Sequence, residues 1–452
     1  MRNRFKYILD NLTPARAIFS FYFIAVTVSV LLLRLPGVHQ EGVEVPLLDT
    51  IFTAVSSVSV TGLTVLNISE TYSTFGIFVL MFIFQFGGIG VMSLGTFVWL
   101  LIGKKIGLRG RQLIMIDHNQ SSLSGLVALM IEILKLILII EGVGAIILGF
   151  LFIDYYATVQ EAFFHGLFTS ISATTNAGLD LTAASMMPYA NDYLIQLVLI
   201  LLITLGAIGF PVLIELKHYL FNRKQLSLPF RFSLFTKITT ITFAGLLALG
   251  TIVIILLEFQ HSFKGMDWHE AFFYAFFQSA TTRSGGLSTI DVNHFTEPTL
   301  LVISLLMFIG ASPSSVGGGI RTTTFALNLL FLYHFAKGRK DIKIFKREIY
   351  EDDVRKALAV TILSFMICFF AIIILSISES LPLLAIVFEV CSAFGTTGLS
   401  MGITTELTTF GKWVIMILMF IGRIGLVSFF LLLRGKEPDL HYHYPKERII
   451  IG

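Results

Sequence analysis

The chain has 452 residues, of which 55% are hydrophobic and 13% charged, against roughly 25% charged in an ordinary soluble domain. With 43 phenylalanines and a mean hydropathy of +0.83, no soluble fold of this length could cover itself with polar surface. Composition therefore predicts an all-α polytopic membrane protein and excludes a disordered chain, a disulfide scaffold and a nucleic-acid module.

The first 16 residues are polar and basic (Arg2, Arg4, Lys6, Arg16). The apolar run after them is too long for a signal-peptide core, lacks an A-x-A pattern, and reads as a retained span. Long apolar segments near 15–36, 72–102, 125–153, 192–220, 235–258, 299–335, 356–379 and 409–434 predict eight transmembrane helices. Inside each successive pair lies a shorter apolar stretch, at 48–60, 160–174, 268–282 and 383–395. These are too short to cross and too apolar for loops, so they predict four re-entrant helices. Glu132 and Lys135 in the third span read as a paired or interfacial couple. Cys368 and Cys391 both lie in apolar segments, which argues against a disulfide, and two thiols alone make no metal site.

Charge sets the orientation. The N-terminal cluster, Lys104/Lys105/Arg109/Arg111, Lys217/Arg223/Lys224/Arg231/Lys237, the run Lys337 to Lys356 and Arg434/Lys436/Lys446/Arg448 fall on one side. The other side carries only Lys264, Arg283 and Lys412, but many acids. The positive-inside rule puts both termini in the cytoplasm, and the short helices then enter from outside beneath an acidic rim. That rim either concentrates cations or is an ordinary solvated surface.

The pattern repeats four times. Phe52, Phe168, Phe276 and Phe388 each precede a Gly-Leu pair by ten residues, at Gly62, Gly178, Gly286 and Gly398. These glycines are 116, 108 and 112 residues apart. The second long helices share FGGIGVM, LGAIGFP, IGASPSS and IGRIGLV, aligning Gly87, Gly206, Gly310 and Gly422, and then Gly90, Gly209, Pro313 and Gly425. The predicted units are 15–102, 125–220, 235–336 and 356–434, each span, pore helix, turn and span, between cytoplasmic segments 1–14 and 435–452.

Four such units can close around a pseudo-fourfold central ion pore. The C-terminal end of each pore helix then points at the membrane centre, where its dipole favours a cation. Irregular backbone at that depth is tolerated where it lines a water-filled path. Rings of its carbonyls can replace the hydration shell of potassium. The predicted filter residues are Val60, Thr61 and Gly62; Asn176, Ala177 and Gly178; Ser284, Gly285 and Gly286; and Thr396, Thr397 and Gly398. Arg283 would repel cations from within the path, so it is expected behind the filter. The bland account of these glycines is helix–helix contact. It suits the second helices, but not four glycines that each end a sub-length apolar stretch.

In the third unit GASPSSVGGGIRTTT should break the span in mid-membrane, a break the other units are expected to lack. The loop 312–319, with Ser312, Pro313, Gly317, Gly318 and Gly319, reads as a gate below the filter. Arg321 either lines the inner cavity or snorkels to the cytoplasm. Arg423, deep in the last span, needs a partner. The free carbonyls of the broken third-unit helix are the expected acceptors, which would make it a latch on the gate.

The motifs SVTGL, TTNAGL, RSGGL and GTTGL, with SPSSVGGGIR and GRIG, resemble those of the Trk/Ktr/HKT superfamily of potassium transporters. The match runs from about 15 to 435, and the lack of extra N-terminal spans resembles its Ktr-type membrane subunits (the KtrB and KtrD branch). The resemblance implies K+ as the transported ion, with glycine at all four filter positions favouring it over sodium. It also implies a bacterial plasma-membrane homodimer, stimulated by sodium and seated on a cytosolic RCK-type ring of KtrA- or KtrC-like subunits that alone bind nucleotide. It assigns gating to the loop and to Arg423. The basic segment 337–356 and the tail PKERIIIG either contact ring or partner protomer or meet lipid headgroups. No nucleic-acid partner and no enzymatic activity are expected. GGGIR lacks the Walker Lys-Ser/Thr, and there is no H-E-x-x-H. A proton- or sodium-coupled symporter of the Trk/HKT type is the alternative mechanism, and a membrane scaffold without ion flux the alternative class.

Overall fold

The computed structural model describes residues 14–90, 126–221, 231–339, 341–426 and 447. Expectations for residues 1–13, for 91–102, for the basic groups 104–111 and 223–224, and for everything after 426 except 447 lie outside them. The described chain is helical. The extended pairing among the described residues is an antiparallel hairpin, β1 (Lys343–Ile344) with β2 (Arg347–Glu348), and a lone bridge from His39 to Tyr72.

The helices run in the same order four times. First come α1 (Pro14–Leu33), the short α2 (Leu47–Ser59) and α3 (Thr74–Ile89). Then come α4 (Leu126–Leu151), the short α5 (Val159–Thr174), and α6 (Tyr193–Ala207) with its continuation α7 (Phe210–Phe221). The third set is α8 (Leu234–Glu258), the short α9 (Trp268–Thr281), and α10 (Glu297–Ile309) with its continuation α11 (Thr322–Ala336). The last is α12 (Glu351–Ser378), the short α13 (Leu383–Gly395) and α14 (Thr409–Ile424).

Polar caps fix the helix starts. Ser73, Thr158, Ser233 and Thr408 each accept the backbone N–H three residues on, and Asp192 accepts those of Leu194 and Ile195; each such cap contributes about 1 kcal/mol. In the last two units an acid at the end of the first helix also holds the cap of the third. Glu258 accepts Thr296 N–H at 2.9 Å and its hydroxyl at 2.7 Å, and Glu379 accepts Thr408 N–H at 3.0 Å and its hydroxyl at 2.6 Å.

By length and composition, α4, α8 and α12 are long and apolar enough to cross a membrane, and α6 with α7 qualifies as a bent pair. Side chains such as Ile362 and Phe365 on α12 face outward, as lipid rather than water allows. The second helix of every unit stops short, which corrects the expectation that only the third does. Each second helix stops at a residue of positive φ: Gly90 at 99°, Gly209 at 103°, Gly310 at 71° and Gly425 at 84°. These values suit glycine because a Cβ resists them. The bend between α6 and α7 is 107°, and it carries Lys217 back to Glu132 at 2.8 Å. Glu132 therefore pairs with Lys217 rather than with Lys135, which is exposed. Both cysteines are free.

The third helix of each unit packs against the short helix of the next: α3 on α5, α6 on α9, α10 on α13, and α14 back on α2. The last contact closes a ring. It is pinned by Lys412 on α14 and Asp49 on α2, at 2.7 Å and with 14% and 16% of their side chains exposed. Asp49→Asn leaves the ammonium largely buried and unpaired, which should destabilise the protein by about 2 kcal/mol. The expected outcome is a lower thermal midpoint in detergent, mostly recovered in the Asp49→Asn/Lys412→Met double variant.

Candidate ion-conduction site

The short helices end alike. Two residues before each glycine, Val60, Asn176, Ser284 and Thr396 take φ of 55°, 53°, 71° and 47°, and the glycines Gly62, Gly178, Gly286 and Gly398 take 91°, 66°, 73° and 92°. Thr61, Ala177, Gly285 and Thr397, between them, stay outside the left-handed region. Backbone that alternates in hand turns consecutive groups of one kind to one side. Holding a non-glycine residue there costs roughly 1–2 kcal/mol, so the surrounding structure must impose it.

It does so through the N–H groups. Thr61 N–H donates to Ser56 O at 2.9 Å, Ala177 N–H to Ser172 O at 2.8 Å and Thr397 N–H to Ser392 O at 2.8 Å, the six-residue closure of a helix C-terminus whose next residue is left-handed. The serine hydroxyls then take the following donors. Gly62 N–H and Gly398 N–H reach Ser56 and Ser392 Oγ at 3.1 Å, and Ser172 Oγ both accepts from Leu179 N–H and donates to Leu179 O. With the donors consumed behind the turn, the carbonyls are left for the opposite side.

The four turns meet. A Cβ built on Gly62 would lie 2.6 Å from Ala177 O, one on Gly178 2.9 Å from Gly286 Cα, one on Gly286 2.5 Å from Thr397 O, and one on Gly398 would strike Thr61 O. The contacts run from the first turn to the second, third and fourth and back to the first. All twelve predicted filter residues are buried except Gly398, which is half-buried; Gly62, Gly178, Gly286 and Gly398 all line one cavity of about 270 Å³. Asp180, Ser288, Asp291 and Ser400 line it too. Asp180 accepts the N–H groups of Thr182 and Ala183, while its burial pushes the carboxyl above its ordinary range.

The third turn lacks the serine, having Ala280 in its place. Gly285 N–H instead donates to Thr281 O at 2.6 Å. Arg283, fully buried, lies behind the turn as expected. It donates to Leu306 O at 2.8 Å, Gly310 O at 3.3 Å and Thr282 Oγ1 at 3.2 Å, so it also satisfies the carbonyl end of α10.

The loop between α10 and α11 lies against the helix-side ends of the turns. Ser312 N–H donates to Ala207 O, Val316 N–H to Gly206 O, and Gly318 N–H to Ser284 Oγ, while Phe210 N–H donates to Ser314 O. A Cβ on Gly318 would press on Thr396 Oγ1, and one on Gly209 would lie 2.8 Å from Pro313 O. The loop thus touches the second, third and fourth units. Arg321 points back into it, donating to Ser312 O at 3.2 Å and to Gly317 O. Its φ is 80°, and helix α11 starts at the next residue. Gly317–Arg321 (GGGIR) matches FGGIG, LGAIG and IGRIG, so Arg321 occupies the place of Gly90, Gly209 and Gly425, a register hidden when Gly310 is taken as the anchor.

Arg423 is a correction. Its guanidinium donates to Gly87 O, to Gly88 O at 3.1 Å and to Tyr22 Oη at 3.2 Å. Its acceptors belong to the broken helix of the first unit, not the third, because the closed ring sets α14 beside the first unit. Sequence reasoning also passed over Glu141, buried in the middle of α4 with both carboxylate oxygens 2.9 Å from Gln85 Nε2 on α3; its embedded position was the available signal.

A polytopic helical fold in which four helix-terminated turns meet is that of a membrane transport protein, not an enzyme. The chain matches the TrkH model, described as cation transport protein, over residues 13–442, and it belongs to that family. It is 56% identical to Ktr system potassium uptake protein D of Bacillus subtilis, with all of both chains covered, and 35% identical to protein B of the same system and organism, with 97% of each covered. The fold is similar to that of the potassium transporter TrkH from Vibrio parahaemolyticus, at a TM-score of 0.73 and 18% identity, over 94% of this chain and 86% of that one.

Arg283→Ala would leave the buried Gly310 carbonyl without its side-chain donor and that of Leu306 with only the Gly310 N–H, at about 2–3 kcal/mol. Arg283→Lys, without the planar fork, should restore little. The expected result is loss of monodisperse protein on size-exclusion chromatography for both.

Proposed function

We propose that the chain takes up potassium across a bacterial plasma membrane, through a filter of backbone carbonyls at Val60–Gly62, Asn176–Gly178, Ser284–Gly286 and Thr396–Gly398. The observation that carries this reading is the closed ring of four glycine turns whose N–H groups are committed behind them. Carbonyls facing one axis without donors suit a desolvated monovalent cation, and the relatives' names concern potassium uptake. In this reading the units 15–102, 125–220, 235–336 and 356–434 contribute eight spans and four re-entrant helices, with both termini cytoplasmic.

Loop 312–319 acts as the gate in this reading, held by Arg321 and by the helix ends of the second unit. Arg423 ties the fourth unit to the first and keeps the ring closed. A homodimer seated on a KtrA- or KtrC-like nucleotide-binding ring, with stimulation by sodium, belongs to this reading as what the family resemblance implies. Coupled symport is the second reading, and the buried Glu141–Gln85 pair favours it, since an embedded carboxylate can carry a proton or hold a cation.

Potassium uptake by transport-deficient cells tests the filter. Gly62→Ser should lower the preference for potassium over sodium by roughly tenfold or more, the equivalent of about 1.4 kcal/mol, because its side chain enters the contact with Ala177 O. Unchanged uptake and selectivity would remove the support for the filter. For the gate, Arg321→Gly keeps a residue at ease with positive φ but deletes the bonds to Ser312 and Gly317. Basal flux should rise roughly tenfold for each 1.4 kcal/mol of closure lost, and shortening 312–319 should raise it further.

A further inference from the structure

One more ionisable group lies next to the turns. Glu389 lies on α13, nine residues before Gly398, and is fully buried. Its carboxylate accepts the Ser400 hydroxyl at 2.7 Å and the Thr404 hydroxyl. Both of those residues follow the fourth turn, and both line the mouth cavity. The carboxylate is thus one hydroxyl layer behind the mouth's wall.

Among the described residues, no cation is paired with it. On the elements packed against α13, Lys412 of α14 is paired with Asp49, Arg423 of α14 with Tyr22, Gly87 and Gly88, and Glu379 of α12 with Ser378 and Thr408. A carboxylate buried without a counter-charge is costly. The cost is not needed to hold the strand. In the third unit the neutral amide of Gln278 faces Ser288 Oγ at 3.4 Å, and Ser288 sits two residues after its glycine just as Ser400 does. The residues at the Glu389 position in the other units are Thr53, Thr169 and Phe277. The tether recurs, whereas the charge belongs to the fourth unit alone.

We infer that Glu389 is a positioning residue for the transported ion: its buried charge, one hydroxyl layer behind the mouth, raises the affinity of the outer end of the filter for a monovalent cation. The hydroxyls of Ser400 and Thr404 spend their protons on the carboxylate, which leaves oxygen lone pairs rather than hydrogens for the cavity. The other acids at the mouth act more weakly. Asp180 is committed to two backbone N–H groups, and Asp291, bonded to the backbone and amide of Asn293, meets solvent ions that screen it. A buried charge is screened far less. The inference rests on the conduction reading.

The test is initial-rate potassium uptake against potassium concentration for the wild type, Glu389→Gln and Glu389→Asp, with the amount of folded protein measured for each. Glu389→Gln keeps the size and an acceptor oxygen but loses the charge. It should raise KM roughly tenfold with Vmax within about twofold, the effect of one nearby charge at intermediate dielectric. Glu389→Asp keeps the charge and shortens the tether, so KM should stay within about threefold while the amount of folded protein falls. A wild-type KM in Glu389→Gln, or equal KM shifts in both variants, would overturn the inference and leave a strand tether. Absence of saturable uptake in the wild type would overturn the conduction reading itself, and the two failures are therefore distinct.

Discussion

Everything in the centre of this protein answers to a rule about backbone groups away from water: each N–H and C=O needs a partner or an ion. The four turns divide the two kinds. The donors go back into the short helices, to the carbonyls of Ser56, Ser172 and Ser392 and to the serine hydroxyls. The left-handed residues Val60, Asn176, Ser284 and Thr396 make that routing possible. Glycine at the next alternate position lets neighbouring turns approach until no Cβ fits between them. Strain, capping and close approach are thus one device, and removing any part leaves donors and acceptors mixed on both sides.

The same rule explains the broken second helices. A helix that stops inside the fold exposes up to four carbonyls, and in the first three units each break is served by a different donor. Arg423 serves Gly87 and Gly88 in the first unit. Backbone N–H groups of Ser312 and Val316 serve Ala207 and Gly206 in the second. Arg283, with the N–H groups of Ile320 and Arg321, serves the end of α10 in the third. The loop of the third unit is therefore a structural partner of the second. Displacing it would strip two buried carbonyls of their donors unless water replaced them, so a displaced loop would differ in hydration as well as in shape.

Much of this was legible in the chain. The helical membrane class followed from composition, and the fourfold spacing of Gly62, Gly178, Gly286 and Gly398 pointed to turns that the structure brings into contact. Arg283 was placed behind its turn because an exposed guanidinium would have repelled a cation. What was not legible depended on three-dimensional closure. The partner of Arg423 lies more than 330 residues earlier in the chain, and only the packing of α14 on α2 brings the first unit within reach. The breaks at Gly90, Gly209 and Gly425 were concealed because a glycine within an apolar run suits helix contact as well as φ near 90°. Lys135 and Glu132 obeyed helix spacing, but a 107° bend supplied Glu132 with a better partner.

A single chain with four related units can do what four identical subunits cannot. Arg283, Arg321, Glu389 and Arg423 each stand where the other units carry no such charge. Four copies of Arg283 would bury four guanidiniums around one axis, and four copies of the 310–321 loop would compete for the one space beneath the turns. Four copies of Glu389 would bury four uncompensated carboxylates around one mouth, each raising the cost of the others. Asymmetry therefore concentrates at the turns and helix breaks, while the caps and the close glycine contacts recur in several units. In the proposed reading, the fourfold part is what a coordination shell requires, and the singular part is what would allow the shell to be opened and its affinity set.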